Sequence, residues 1–223
     1  MKFKKIIILP LIMSVLAGNA LAINENYKGV YPEKYTDEYI NTNLKPLYKK
    51  VSKDEVVYVA LDMLNGTSGE FSRKAILGNN LSGYPVKVEF TDLKSFGDEY
   101  KDFDALGYKK GKKLYIFINE KHKNAPAGAI AALLSHEALH QDEYNSLAEE
   151  TYAWTMEAVV WCEILRTYPE TAENTTNALV ARENTLKKLY ERGKETDKYI
   201  KKTVWSNSGY KNLPTTSPGF EEL

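Results

Sequence analysis

The sequence is poor in the residues that cross-link a protein or give it a strong net charge. Cys162 is the only cysteine among 223 residues, so no intrachain disulfide can form. It lies in the apolar stretch VVWCEIL, which indicates a buried packing residue rather than a reactive thiol. Lys and Arg number 30, as do Asp and Glu. This balance gives no electrostatic reason to expect a nucleic-acid partner.

Apolar runs long enough to cross a membrane are also missing. The N-terminal run from Ile6 to Leu16 is shorter than the roughly 20 residues that a spanning helix needs, which argues against a membrane anchor. Lysines precede this run and the small-x-small triplet Ala20-Leu21-Ala22 follows it, a pattern typical of a secretory signal peptide over residues 1–22. We therefore expect cleavage after Ala22 and a soluble protein that is secreted or periplasmic.

The remaining residues predict one α+β domain over 23–205 and a flexible C-terminal tail over 206–223. The alternating segment PVKVEF (85–90) predicts a half-buried strand, and LYIFI (114–118) predicts a second. The turn sequence KKGK lies before LYIFI, and the segments on its two sides can form a hairpin.

Helices are predicted on both sides of these strands. Segment 52–65 is ambiguous, because Ser52 and Glu55 form a capping-box pattern whereas VVYV is typical of a strand, and we favour the helix. A short helix ending at Gly78 follows it. The longer helices are predicted over 124–141, 146–166 and 170–193, with one or two further turns after Thr196.

The chemistry of the sequence is concentrated in HEALH, residues 136–140, which holds two of the three histidines. On a helix, His136 and His140 project from one face, so the two imidazoles can bind one metal ion. Glu137 is rotated by roughly 100° from His136, which suits a base acting on a metal-bound water. A chance HExxH arises in roughly one chain in a hundred, but here the motif follows a strand and precedes an acidic helix.

A catalytic zinc site needs a third protein ligand, and the sequence offers three candidates. His122 lies in the charged loop NEKHK, which favours a solvated position. Glu149 completes an S-x-x-E pattern with Ser146, and such a capping box would occupy its side chain. Glu149 and Glu150 are about 100° apart on a helix, so they cannot both face one metal ion. Glu150, whose helical face is extended by Glu157, is the better candidate, and Glu149 stays the alternative.

The segments His136-Glu137-Ala138-Leu139-His140 and Glu150-Thr151-Tyr152-Ala153 resemble the zincin metallopeptidases of the gluzincin type. Those enzymes carry HExxH on one helix and a third zinc-binding Glu on the next. The resemblance spans residues 113–165 and includes LYIFI, which looks like the edge strand of the substrate cleft. It implies a compact zincin-like α+β domain with a small antiparallel sheet, an active-site helix, a following Glu-bearing helix and a C-terminal helix. The chain departs from the family at Asp142, where an apolar residue is usual, and at Trp154, where some gluzincins have an Asp.

The resemblance implies a zinc metallopeptidase. His136, His140 and Glu150 would bind Zn²⁺, which lowers the pKa of its water to about 7. Glu137 would act as the general base and pass the proton to the leaving amine.

The substrate implied by the resemblance is a peptide or protein. The backbone of Tyr115 and Phe117 would pair with it as an added strand. Tyr144, Tyr152 and Tyr168 are candidates for stabilising the oxyanion, and nothing in the sequence selects among them.

Two other interpretations stay open at this stage. The first is an envelope binding or interaction protein that keeps a zincin fold and its metal but has no turnover. The second is a structural exported domain in which HEALH is a coincidence. The stripe Trp154, Ala158, Trp161 and Leu165 is predicted to be core packing rather than a binding surface. The sequence does not indicate the substrate preference or the oligomeric state.

Overall fold

Residues 31–221 are described by a computed structural model, in which packed helices accompany a small three-stranded sheet. The signal peptide predicted over 1–22 lies outside these residues. The strands are β1 (Lys87–Thr91), β2 (Ala105–Lys110) and β3 (Lys113–Asn119). The helices are α1 (Asp37–Tyr39), α2 (Lys45–Tyr48), α3 (Glu55–Met63), α4 (Glu70–Ile76), α5 (Ala127–Glu137), α6 (Leu147–Thr167), α7 (Ala178–Arg192) and α8 (Lys198–Ser206), with a π-helical stretch, Ile40–Leu44, between α1 and α2. Short 3₁₀ turns occupy Leu93–Phe96, Asp98–Tyr100, Glu120–His122, Pro169–Ala172 and Ser208–Tyr210. In this part of the chain no helix has the length and apolar character needed to span a membrane.

The α+β class predicted from the sequence is confirmed, but the sheet is mixed rather than antiparallel. β2 and β3 form the expected antiparallel hairpin, and Gly111 in its turn has a φ of 61°. β1 adds to the other side of β3 and runs parallel to it. The connection between β1 and β2 passes across β3, so β1 and β2 lie on opposite sides of β3. An alternating pattern predicts that a strand exists but does not identify its partner.

β3 is therefore the central strand and not the edge strand. Tyr115 pairs with Lys87 on one side and with Tyr108 on the other, and Phe117 is likewise paired on both sides. The expectation that Tyr115 and Phe117 pair with a substrate backbone is wrong, because a strand between two neighbours has no free edge to offer.

α5 is the central helix of the domain. Every residue from Ala127 to Glu137 is buried, and the helix packs against α3, α6 and the sheet. Its first turns are mostly Ala and Gly, which lets the neighbouring backbones approach closely. This packing holds the end of α5, where HEALH begins, in the interior of the molecule.

Gly128 on α5 is the tightest point of this packing. A Cβ added there would lie 2.6 Å from Thr171 Cγ2 and 3.0 Å from Ile164 Cγ2. Alanine favours a helix over glycine by roughly 0.5–1 kcal/mol, whereas overpacking a core typically costs about 1–3 kcal/mol. We therefore expect Gly128→Ala to lower the free energy of unfolding by about 1 kcal/mol, measured in urea. An equal or higher stability in the variant would mean that the contact relaxes freely.

Most predicted helices are present, with changes at their ends. Residues 55–63 are helical as favoured, although Asp54 and not Ser52 precedes the first turn. α7 begins at Ala178 rather than near Glu170, because Asn177 caps it by accepting hydrogen bonds from Leu179 N and Val180 N. The helix predicted over 124–141 ends at Glu137.

Three of the four residues on α6 that were predicted to be core are buried, in two clusters, and Leu165 is only partly buried. Trp161 joins the main core with α5, whereas Trp154 and Ala158 pack with α7 and α8. Cys162 is only half-buried, and burial raises the pKa of its thiol. An inert packing role fits this environment better than a reactive one.

The segment after residue 206 is not the loose tail that the sequence predicted. Tyr210 and Ser217 are buried. The carbonyls of Pro214 and Thr215 accept hydrogen bonds from Leu147 N (2.9 Å) and Ala148 N (3.0 Å). These bonds satisfy N–H groups in the first turn of α6 that have no partner inside the helix. Residues 207–217 are called the C-terminal strap below.

Candidate metal centre

The two histidines of HEALH lie at the end of α5 with their rings side by side. His136 is in the last turn of the helix. His140 lies in the turn that follows, where its backbone N–H donates to the Glu137 carbonyl. The ring centroids are 5.2 Å apart. Although regular helix ends three residues before His140, the turn keeps the two side chains together, so both imidazoles can reach one point.

Glu150 is brought to the same point by α6. Its Oε2 lies 3.8 Å from His136 Nε2, and its Oε1 lies 3.8 Å from His140 Nε2. Ligand atoms of the three residues all lie within 4.8 Å of one another, so the cluster could hold a metal ion. Asn145 Nδ2 donates to Glu150 Oε1 at 2.6 Å and orients this carboxylate. Of the residues that the sequence offered as ligands, these three are the ones that converge.

Glu149 has a different place in the site, beside His140. Its Oε1 lies 2.9 Å from His140 Nδ1, and because a carboxylate accepts, Nδ1 is the donor. Nδ1 therefore carries the proton, and Nε2 is turned toward Glu150. The predicted capping box is half present, since Ser146 Oγ accepts from Glu149 N (3.0 Å). The Glu149 side chain bonds His140 instead of returning to the Ser146 backbone.

Glu157 accepts a hydrogen bond from His136 Nδ1, as Glu149 does from His140 Nδ1. Its Oε2 lies 3.1 Å from His136 Nδ1, so each histidine donates its Nδ1 proton to a buried carboxylate. Metal-binding histidines commonly carry such a partner, which fixes their tautomer and ring orientation. The role was not recognised from the sequence, although Glu157 was placed on the helical face of Glu150.

A buried network of charges extends behind Glu157. Arg182 on α7 binds both oxygens of Glu157 through its two terminal nitrogens, with Nη2 at 2.7 Å from Oε2. It also contacts Glu183 Oε1 at 2.9 Å and Asp104 Oδ2 at 3.4 Å. Burial would raise the pKa of Glu157, but the charge of Arg182 holds it at about 2. The partner of His136 is therefore ionised.

His122, the other candidate ligand, lies outside the cluster and is buried rather than solvated. Its Nε2 is 2.7 Å from Asp104 Oδ1. Its charged neighbours in the sequence suggested a surface loop, but the imidazole is buried and hydrogen-bonded to Asp104. Burial lowers the pKa of His122, which the bond to Asp104 opposes.

Three polar atoms at the cluster have no hydrogen-bond partner among the residues that the structure describes. They are His140 Nε2, Glu150 Oε2 and Glu137 Oε2, and all are buried. Buried polar atoms are normally paired, and an unpaired group asks for an explanation such as an ion. A metal ion would satisfy the first two atoms, and two His with one Glu is a donor set that zinc uses. The residues therefore fit a metal centre.

Glu137 faces the same point without being held by a partner. Its Oε1 is 4.0 Å from His136 Nε2. Burial raises its pKa, against the charges of the two histidines. A raised pKa brings a carboxylate closer to the range in which a general base works at neutral pH.

His140 binds a proton strongly in the absence of a metal ion. Burial would lower its pKa, but the bond to Glu149 and the charges of Glu150 and Glu149 raise it to about 9. A metal ion must displace any proton on Nε2, so binding there releases protons at neutral pH.

None of the tyrosines proposed for the oxyanion is placed by contact at the cluster. Tyr144 and Tyr152 are exposed, and Tyr168 packs near Tyr35 beyond the far end of α6. Tyr210 of the C-terminal strap is close instead. Its hydroxyl accepts from Trp154 Nε1 at 3.2 Å, and burial together with the charge of Glu150 raises its pKa well above the ordinary value. It lies sixty residues from Glu150 in the chain, where no local pattern would identify it.

No known protein family, curated protein or solved structure matches the chain. Its function is therefore inferred from the site itself.

Proposed function

We propose that this protein is an exported zinc-dependent metallopeptidase. The observation that carries the proposal is the convergence of His136, His140 and Glu150 beside the unpartnered carboxylate of Glu137. A structural zinc site is usually closed by four protein ligands, whereas a catalytic one has three and an open position. Three ligands with an acidic neighbour fit the second type.

Each residue has a distinct role in this proposal. His136, His140 and Glu150 hold the zinc ion, which supplies a Lewis acid that activates water and polarises the scissile carbonyl. Glu137 takes a proton from the attacking water and later delivers it to the leaving amine. Glu149 and Glu157 keep the two imidazoles in the tautomer that presents Nε2.

The substrate is proposed to lie along β2 rather than β3. Among the described strands β2 has one partner, so its other side is an edge of the sheet. The Asp104 carbonyl accepts from Asn119 N at 2.9 Å on the β3 side, so the backbone groups of Ala105, Gly107 and Lys109 point away from β3. β2 packs on α5, and Lys109 pairs with Glu143, three residues after His140. An extended peptide on this edge would run beside HEALH.

One observation favours the second candidate function, a metal-retaining binding protein without turnover. His136, Glu137 and His140 are only 4%, 5% and 6% exposed, and Glu150 is 0% exposed. A peptide reaches such a site only if its surroundings open, and a protein that needs only the metal for stability has no such requirement.

The deciding experiment compares zinc content and proteolysis in wild type and Glu137→Gln. We expect one zinc per chain in both proteins, and at least about a 100-fold loss of proteolysis in the variant, as for removal of a general base. Zinc is measured by elemental analysis and proteolysis with a dye-labelled denatured protein. Glu120→Gln, an equivalent change at an exposed residue, is the control and should match wild type.

Any other result would contradict part of the proposal. Proteolysis that survives in Glu137→Gln would remove this residue as the base. One zinc without any proteolysis in wild type would favour the binding protein. Absence of zinc from wild type after reconstitution would contradict both functions.

A further inference from the structure

The C-terminal strap, residues 207–217, reaches the metal centre from behind His140. Ser217 Oγ lies 2.9 Å from Glu149 Oε2 and 3.0 Å from Ser146 Oγ. All three residues are buried. Ser217 therefore contacts Glu149, the residue that supports His140, although the two are 68 residues apart in the chain.

The donors and acceptors here can be arranged in one way only. The carboxylate of Glu149 can only accept, so Ser217 donates to it. The single hydroxyl proton of Ser217 is used in this bond, so Ser146 Oγ donates to Ser217 Oγ while it accepts from Glu149 N. The result is a closed ring from Glu149 N–H through both hydroxyls to Glu149 Oε2. Its other oxygen, Oε1, is then directed at His140 Nδ1.

The rest of the strap holds Ser217 in this place. The hydrogen bonds from Leu147 N and Ala148 N to Pro214 and Thr215 tie the strap to the first turn of α6. Tyr210 anchors its other end against Trp154. The first turn of α6, Glu149 and the strap are thus one hydrogen-bonded unit.

We propose that Ser217 is a positioning residue of the metal centre, which fixes Glu149 and through it His140, so that metal affinity depends on the C-terminal strap. The proposal rests on the metal-binding part of the proposed function and not on peptide hydrolysis. Without the Ser217 hydroxyl, Glu149 Oε2 loses its donor and the carboxylate can rotate away from Nδ1. His140 then loses the partner that orients its ring.

The test is the zinc dissociation constant of full-length wild type, Ser217→Ala, Glu149→Gln and the double variant, measured by competition with a chelator. Loss of an outer-sphere partner typically weakens metal binding by about 10–100-fold. We expect Ser217→Ala to weaken zinc binding by about tenfold, at the lower end of that range because it acts through Glu149. When Glu149 is already glutamine, adding Ser217→Ala should weaken zinc binding almost no further, because Ser217 acts on His140 only through the Glu149 carboxylate.

Thr216→Ala removes a hydroxyl from the exposed residue next to Ser217 and should bind zinc like wild type. Visible absorption of the cobalt-substituted proteins reports ligand geometry, and we expect an altered spectrum for Ser217→Ala but not for Thr216→Ala. Denaturant unfolding of the metal-free proteins shows whether Ser217→Ala is folded, and Ser217→Thr, which keeps the hydroxyl, should recover affinity.

Wild-type affinity in Ser217→Ala would overturn the proposal, and so would an equal tenfold loss in both backgrounds. Absence of zinc from wild type would instead contradict the metal centre itself.

Discussion

We expect that replacing Glu150 by glutamine removes stoichiometric zinc from the protein, whereas replacing Glu149 by glutamine weakens zinc binding but does not abolish it. This is the largest effect on metal binding that we expect from a change at one of the two glutamates. Glu150 Oε2 lies 3.8 Å from His136 Nε2 and has no hydrogen-bond partner among the described residues. Both oxygens of Glu149 are already used, by His140 and Ser217.

Glutamine is chosen because it preserves the shape of the side chain. In Glu150→Gln the amide oxygen can still accept from Asn145, so the first turn of α6 should keep its packing. A neutral amide is a poor zinc ligand, and we expect the dissociation constant to rise by more than the roughly 100-fold upper limit for outer-sphere changes. In Glu149→Gln the rise should stay within about 10–100-fold.

The measurement is zinc per chain after gel filtration, followed by chelator competition. The opposite order, with zinc lost in Glu149→Gln and kept in Glu150→Gln, would make Glu149 the ligand and contradict the convergence of Glu150 with the two histidines. Equal and mild losses in both variants would mean that a ligand outside the cluster completes the site.

The sequence predicted those parts of the site that depend on local spacing. The spacing of His136 and His140 predicted that their side chains meet, and the turn after Glu137 keeps them together. Glu150 was preferred to Glu149 because the two diverge on a helix and a capping box would occupy Glu149. The role of Glu149 was missed because the S-x-x-E pattern has a sufficient local explanation in capping. Asp104, Arg182, Tyr210 and Ser217 come from distant segments, and only the folded chain places them near α6.

The predictions about the sheet were wrong for the same reason, because strand pairing also depends on distant segments. LYIFI was recognised as a strand because five apolar or aromatic residues are consecutive. Whether it is central or at an edge depends on where β1 adds, and this depends on the path of the connection from 92 to 104. His122 was predicted to be solvated because its neighbours in the chain are charged. The sequence does not show that Asp104, eighteen residues earlier, hydrogen-bonds to it in the interior.

Replacing Arg182 by methionine is expected to have the largest effect on stability. Arg182 is the cation between the fully buried Glu157 and Glu183, and Asp104 is also within 3.4 Å of it. Methionine fills most of the volume but leaves the charge of Glu157 buried without a cation. Removing one partner from a buried ion pair typically costs about 3–5 kcal/mol. We expect the free energy of unfolding of the metal-free protein to fall by that amount, measured in urea.

Glu183→Gln is the matched control for Arg182→Met, because burial, then the charge of Glu157, raise the pKa of Glu183 well above its ordinary value. This shift favours the neutral form of Glu183, so a neutral amide of similar shape should cost less than about 1 kcal/mol, as for an isosteric exchange that keeps its hydrogen bonds. Its oxygen can still accept from Arg182. If Glu183→Gln were as destabilising as Arg182→Met, Glu183 would be ionised in the folded protein, and Arg182 would be balancing two buried charges instead of one. If both variants were as stable as wild type, the network behind His136 would not contribute to folding, and the fixed orientation of His136 would have to come from packing alone.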